Sequence, residues 1–328
     1  MDATNRDKQL YGNEVQIIRR NDDCTIYRIN NSKGDAVITS YCVFPGIELS
    51  YNDVHTQWVR IDEEQPKNIL EINHCKEGII ECETRKGEYL YISKGNLAIN
   101  QKYNMKNSCN FPLNHFYGIT VAVDLDKITN WQSSVLEDVS VNLLELKSKF
   151  CENNKGFLVI RENQSIEHIF SELYSVSEKI RKGYYKVKIL ELFLFLSSLE
   201  QEDLIQSKKY YPKRQVDTIK AIKEYLIIHL SEKITLDQLS VQFQIPLTTM
   251  KLVFKEIYGD SIYSFVRTYK MQKAAKILKN TNEDVNVISG SLGYDNASKF
   301  SEAFKKVIGV NPSVYRKMSK WSIDDKIE

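Results

Sequence analysis

The 328-residue chain is expected to be an α+β multidomain protein, an N-terminal β-barrel with helices followed by a C-terminal all-α domain carrying two helix-turn-helix motifs. Three observations predict this. The length exceeds what one hydrophobic core usually organises. The apolar pattern changes from short strands over 15–123 to helical spacing from about Asp124 onward. In the last third "MKLVFKEIYG" (250–259) is answered fifty positions later by "FSEAFKKVIG" (300–309), with Phe254, Lys255 and Gly259 matching Phe304, Lys305 and Gly309.

The segments "AVITSYCV", "NILEINHC", "GIIECETR", "EYLYIS" and "GITVAVDL" are rich in β-branched and aromatic residues and are separated by turn-forming residues, as in an antiparallel barrel or sandwich. "SVNLLELKSKF", "SIEHIFSELYSVSEKI" and "KVKILELFLFLSSLEQEDL" follow with helical spacing. The last is apolar nearly all round (Ile189, Leu190, Leu192, Phe193, Leu194, Phe195, Leu196, Leu199), so it needs cover from its own domain and from a partner subunit. A homodimer is therefore expected. One domain spans 1–205, with the barrel at 15–123 and helices at 124–205. A linker at 206–214, "QSKKYYPKR", precedes the second domain at 215–321.

In that domain Thr235 is the N-cap of a helix with Leu236, Leu239 and Phe243 on one face. Ile245-Pro246 breaks it, and a second helix follows with Met250, Val253, Phe254 and Ile257 inward and Gly259 as its C-cap. The second copy uses Val285, Ile288 and Leu292, the turn "GYDN", then Phe300, Ala303, Phe304 and Val307. Its turn is one residue longer than the first. Between the copies "SIYSFVRTYKMQKAAKILKNTN" predicts a long helix with Lys270, Lys273 and Lys276 projecting from it. Two such helix pairs on one rod could enter successive major-groove segments about 34 Å apart.

Charge is divided unevenly. Residues 213–321 hold 18 Lys/Arg and 10 Asp/Glu, a balance of +8, while the whole chain carries +2. A basic module joined to a mildly acidic one fits a polyanion-binding domain with a separate sensing domain. No apolar stretch approaches the roughly 20 residues of a membrane helix, and "MDATNRDKQLYGNE" has no signal-peptide core. A cytoplasmic, membrane-free protein is expected, with Cys24, Cys42, Cys75, Cys82, Cys109 and Cys151 all reduced.

The run "ITLDQLSVQFQIPLTTMKLVFKEIYGDSIYSFVRTYKMQKAAKILKNTNEDVNVISGSLGYDNASKFSEAFKKVIGVNPSVYRK", with LGY, FKK, G and NPxxYRK in order, resembles the DNA-binding domain of the AraC/XylS family of bacterial transcription regulators. Residues 36–123, notably "EINHCKEGIIECETRKGEYLYISKGNLAIN", resemble the cupin-like sensory barrel of many such regulators. The resemblance implies a sequence-specific, effector-responsive activator that binds double-stranded promoter DNA, with an unidentified small-molecule effector and RNA polymerase as further partners. It places base-reading positions at Thr248, Thr249, Lys251 and Leu252 in the first copy and at Ala297, Ser298, Lys299, Ser301 and Glu302 in the second, with Lys255 and Lys305 at phosphates or helix ends. The family often has arginine where Leu252 and Glu302 stand, and neither residue makes the bidentate guanine contact.

The alternative is a metal-dependent cupin enzyme fused to a DNA-binding module. Of the five histidines none forms a His-x-His pair followed by Glu, and no nucleophile elbow, phosphate loop or supported carboxylate pair is present. No enzyme, cofactor or metal set is expected. His74 alternates with Leu70 and Ile72, which predicts an inward imidazole. With Tyr41, Trp58, Tyr91 and His115 it is a candidate contact for the effector.

Overall fold

The computed structural model describes residues 3–60, 66–85, 89–128, 141–152, 157–200 and 213–324. The expected linker lies outside the described residues up to position 212. The chain divides into two compact units, Met1–Lys209 and Tyr210–Glu328.

In the first unit helix α1 (Asn5–Tyr11) precedes β1 (Val15–Arg20), β2 (Thr25–Asn31), β3 (Gly34–Phe44), β4 (Ile47–His55) and β5 (Trp58–Arg60). Then come β6 (Ile69–Thr84), β7 (Tyr89–Ser93), β8 (Leu97–Gln101), β9 (Met105–Asn110) and β10 (Phe116–Asp124). After them follow α2 (Leu143–Lys147), a π-helical turn, β11 (Phe157–Ile160), α3 (Gln164–Leu173) and α4 (Arg181–Ser198). The antiparallel sheet has the order β1-β2-β3-β4-β10-β6-β8-β11, and the far half of β6 also pairs with β7 and β9.

Three expectations change here. Strand β11 lies within the segment expected to be helical, and Phe157–Ile160 pairs with Leu97–Asn100 of β8. Strand β6 runs through the break expected between "NILEINHC" and "GIIECETR": one extra residue bulges opposite Tyr117/Gly118, and Gly78 absorbs the bend at φ +86°. A Cβ at Gly78 would stand 2.1 Å from the His115 carbonyl oxygen, so only glycine lets the two backbones approach. Finally, Cys82 and Cys109 face each other in register and are joined as a disulfide, while Cys24, Cys42, Cys75 and Cys151 keep their thiols.

The sheet buries both faces. Leu49, Leu70, Ile72, Leu97, Ile99, Ile119 and Val121 point to the outer face and pack with Phe170, Leu173, Ile189, Leu192 and Phe193 of α3 and α4. Each fully buried aliphatic or aromatic side chain there contributes about 1.5–3 kcal/mol. The alternate residues point inward around a cavity of about 160 Å³, which α1 helps to line with Leu10 and Tyr11. On α4, Lys188 is buried between Glu172 (2.9 Å) and Glu191 (2.5 Å), while Val187 and Leu194 stay exposed.

The second unit is helical: α5 (Lys213–Ile228), α6 (Leu236–Gln242), α7 (Leu247–Tyr258), α8 (Ile262–Asn280), α9 (Val285–Ser291), α10 (Ala297–Ile308) and α11 (Pro312–Asp324). Thr235 caps α6 by accepting from the Gln238 amide, and the Gln238 side chain accepts from the Thr235 amide in return. Leu239, Met250, Phe254, Phe265, Ile288, Phe300 and Phe304 are almost completely buried.

Among the described residues no helix is long and apolar enough to cross a membrane.

Candidate nucleic-acid interface and internal cavity

The paired helices set the interface. Four residues separate α6 from α7 and five separate α9 from α10. Both turns place a left-handed residue two positions after the first helix, Gln244 at φ +50° and Gly293 at φ +76°. Both second helices end on a left-handed glycine, Gly259 or Gly309, whose N–H donates to the carbonyl of Lys255 or Lys305.

Helix α7 buries Met250, Val253, Phe254, Ile257 and Tyr258, which leaves Thr248, Lys251, Leu252 and Lys255 as an exposed stripe at i, i+3, i+4 and i+7. Thr249 is half-buried beside it. Helix α10 buries Phe300 and Phe304 and exposes Ser298, Lys299, Glu302 and Lys305, with Ala297 and Ser301 half-buried. Lys306 is exposed as well, and the sequence reading did not single it out. Asn296 caps α10 by accepting from the Ser298 and Lys299 amides, which fixes the angle at which that stripe begins. On α8, Lys273 and Lys276 are exposed, but Lys270 is half-buried over the Tyr294 ring (5.5 Å), and burial lowers its pKa.

In the first unit the five residues expected to touch an effector lie elsewhere than in the cavity wall. His74 faces outward, stacked on Phe170 (ring centroids 4.1 Å, interplanar angle 6°), with Nδ1 3.1 Å from the Tyr174 hydroxyl. Burial pushes its pKa down to about 4. Tyr41 packs edge-on against Tyr51 and Tyr185, and its hydroxyl accepts from Arg181 (3.2 Å). Trp58 lies under the Arg60 guanidinium, Tyr91 stacks on Tyr89, and His115 stacks on His55. Strand alternation places residues on a common face without saying which face is enclosed. That is why the tyrosine-rich side, covered by helices, reads like an interior.

The true interior carries a polar row that sequence reading missed. Asn52 donates to Thr120 (2.9 Å), Thr120 to Asn73 (2.7 Å), Asn73 to Asn100 (2.9 Å) and Asn100 to Glu71 (3.0 Å). Lys102 closes the row at Glu71 (2.7 Å). Around it Ile29, Ile38, Val54, Leu90 and Phe116 make most of the remaining wall apolar, with Ser50 and Lys106 as further polar members. This combination suits a small molecule with one polar edge. The sequence reading found no metal set, yet Asp53, His55 and His115 each bring a ligand atom within 4.8 Å of the others.

Residues 239–318 match the helix-turn-helix domain family. The chain is 35% identical over 115 residues to an uncharacterised HTH-type transcriptional regulator, YdiP of Escherichia coli, a match covering 35% of this chain and 38% of that protein. It is 22% identical over 209 residues to the HTH-type transcriptional activator RhaR of Mannheimia succiniciproducens, covering 62% of this chain and 71% of that one. Among solved structures, ToxT from Vibrio cholerae with bound unsaturated fatty acid aligns over 82% of this chain and 94% of its own, at 12% identity and a TM-score of 0.33. The chain thus spans little more than a third of the length of the YdiP protein it matches at higher identity. The YdiP protein is named a transcriptional regulator and the RhaR protein a transcriptional activator.

Proposed function

We propose that the chain is a sequence-specific DNA-binding transcriptional regulator of the AraC/XylS type, with an N-terminal cupin-like sensory domain at 1–205, a linker at 206–214 and two helix-turn-helix motifs at 215–321. The observation that carries this reading is the pair of matched helix–turn–helix segments, each exposing a short polar stripe with lysines on its second helix. Such a helix presents its side chains to base edges in the major groove while lysines meet phosphates. In α7, Lys251 reads a base and Leu252 touches a thymine methyl. In α10, Lys299 and Glu302 are the candidates, and a carboxylate there accepts from cytosine N4. Recruitment of RNA polymerase and activation on effector binding complete the proposal.

The effector is assigned to the cavity edged by the Asn52-to-Glu71 row, not to His74, Tyr41, Trp58, Tyr91 or His115. A homodimer is proposed through α4, where Val187 and Leu194 are exposed and Leu190 is half-buried at i, i+3 and i+7. Light scattering of the full-length chain tests assembly. For DNA, the full-length protein is offered a pool of randomised duplexes, and the enriched sequence is compared with random DNA across a salt series. Enrichment of one motif, with affinity falling linearly in log–log against salt, is the expected result. Equal binding of all duplexes, or none at low salt, would sink the reading.

A further inference from the structure

On the outer face of the sheet, opposite the cavity, β4, β10 and β6 are neighbours and bring four chemically matched groups together. Asp53 and His55 are two apart on β4, so they share a face. Val54 between them lines the cavity, which turns both outward. Phe116 pairs with Val54 across the ladder, so His115 stands directly opposite His55, and the two rings stack with centroids 5.2 Å apart. Tyr117 pairs with both Asp53 and Glu77, which brings Glu77 alongside from β6.

The hydrogen bonds divide the roles. His55 Nε2 lies 2.9 Å from Asp53 Oδ1, and His115 Nε2 lies 3.2 Å from Glu77 Oε2. With Nε2–H donated to the Glu77 carboxylate, His115 keeps its lone pair on Nδ1. That atom is buried and has no hydrogen-bond partner in the structure. A buried acceptor left without a donor is costly, and a metal ion is one group that satisfies it. A carboxylate holding the far nitrogen of an imidazole is also the usual outer support of a histidine ligand. Two glycines fix the strand crossings here: a Cβ at Gly34 would stand 2.0 Å from the His55 carbonyl oxygen, and one at Gly78 would stand 2.1 Å from that of His115.

We propose that Asp53, His55 and His115 bind a divalent first-row transition-metal ion, with Glu77 as the positioning residue of His115. Imidazole and carboxylate ligands suit Zn²⁺ and its neighbours rather than Ca²⁺ or Mg²⁺. Ligand atoms of one tetrahedral Zn²⁺ lie about 3.3 Å apart, from bonds of roughly 2.0–2.1 Å. The three groups lie within 4.8 Å of one another, so rotation of the more exposed Asp53 and His55 side chains closes the set. Solvent supplies the fourth ligand. Lys76, the nearest cation along the strand, is drawn away over the Tyr117 and Tyr174 rings (5.5 and 4.6 Å). This site lies within the first unit and does not rest on the DNA-binding reading.

The test is a titration of the chelator-treated full-length protein with Co²⁺, followed by displacement with Zn²⁺. One equivalent should give visible d–d absorption without the thiolate charge-transfer band that Cys24 or Cys42 would produce. His55→Ala and Asp53→Asn, at a half-buried and an exposed position of the outer face, should each weaken binding at least tenfold. Glu77→Gln should weaken it by about 10- to 100-fold through His115. Absence of Co²⁺ binding, a thiolate band, or unchanged affinity in His55→Ala would each overturn the site.

Discussion

Gly293 lies against the carbonyl of Ser231: a Cβ built on it would stand 2.6 Å from that oxygen. The turn between α9 and α10 is thereby seated on the loop that leads into α6, and beside it Lys233 pairs with Asp295 at 2.7 Å. The two helix pairs are held to each other by backbone contact and not only by the rod of α8.

Gly293→Ala should therefore lower stability by at least roughly 2 kcal/mol, because it adds both a clash and a left-handed penalty. At the matching position of the first turn, Gln244→Gly should raise stability by about 0.5 kcal/mol, since relief of the left-handed strain outweighs glycine's added freedom when unfolded. Calorimetry of the two variants checks the opposite signs. Two shifts of like sign would mean that the turns are not equivalent.

Lys251→Ala should cost roughly 1–3 kcal/mol on the enriched DNA sequence and less on random duplex, whereas Lys255→Ala and Lys305→Ala should weaken both alike and reduce the salt slope by about one. Glu302→Gln tests whether α10 reads a cytosine: a change in the preferred base says that it does, and a uniform gain says that the carboxylate only repelled phosphate. Binding isotherms at two salt concentrations separate these cases.

His74 gives the first unit an acid limit. Burial holds its folded pKa at about 4, below the ordinary 6.5, so protonation disfavours the folded state. Its contribution is complete above pH 6.5 and is lost as the pH falls toward 4, to the extent of about 3 kcal/mol. His74→Phe, stacked on Phe170 in the same place, should flatten that limb in melting temperature against pH. An unchanged limb would move the acid sensitivity to other groups.

Glu71→Ala removes the acceptor of a nearly buried ammonium, with the Lys102 side chain only 10% exposed. A loss of about 3–5 kcal/mol is expected, and the double variant Glu71→Leu with Lys102→Met should recover much of it. A double-mutant cycle followed by urea unfolding measures the coupling.

What was legible in the sequence was whatever depends on near neighbours. The Thr235 cap, the glycines after α7 and α10, and the one-residue difference between the turns are local choices, and each can be read from a few consecutive residues. The buried faces of α7 and α10 follow from helical spacing, whereas the exposed positions beside them come from the family resemblance. His74 was misplaced because Leu70, Ile72 and His74 do share a face, but helices cover that face, and the enclosed one carries Glu71 and Asn73. The strand at Phe157–Ile160 is too short to declare itself between helical segments. Asp53, His55 and His115 meet only because β4 and β10 pair, a contact across sixty positions that no spacing rule within a strand reveals.

The row from Asn52 to Glu71 has a direction. Each member passes a hydrogen to the next, and the last carboxylate is also claimed by Lys102, so no single amide can turn over without leaving two neighbours mismatched. The Glu71 carboxylate, already paired with Lys102, only accepts, so it pins the sense of the series, and a molecule that takes the place of one donor must itself donate. The four strands the row crosses, β4, β10, β6 and β8, therefore share one polarity, set at its Glu71 end.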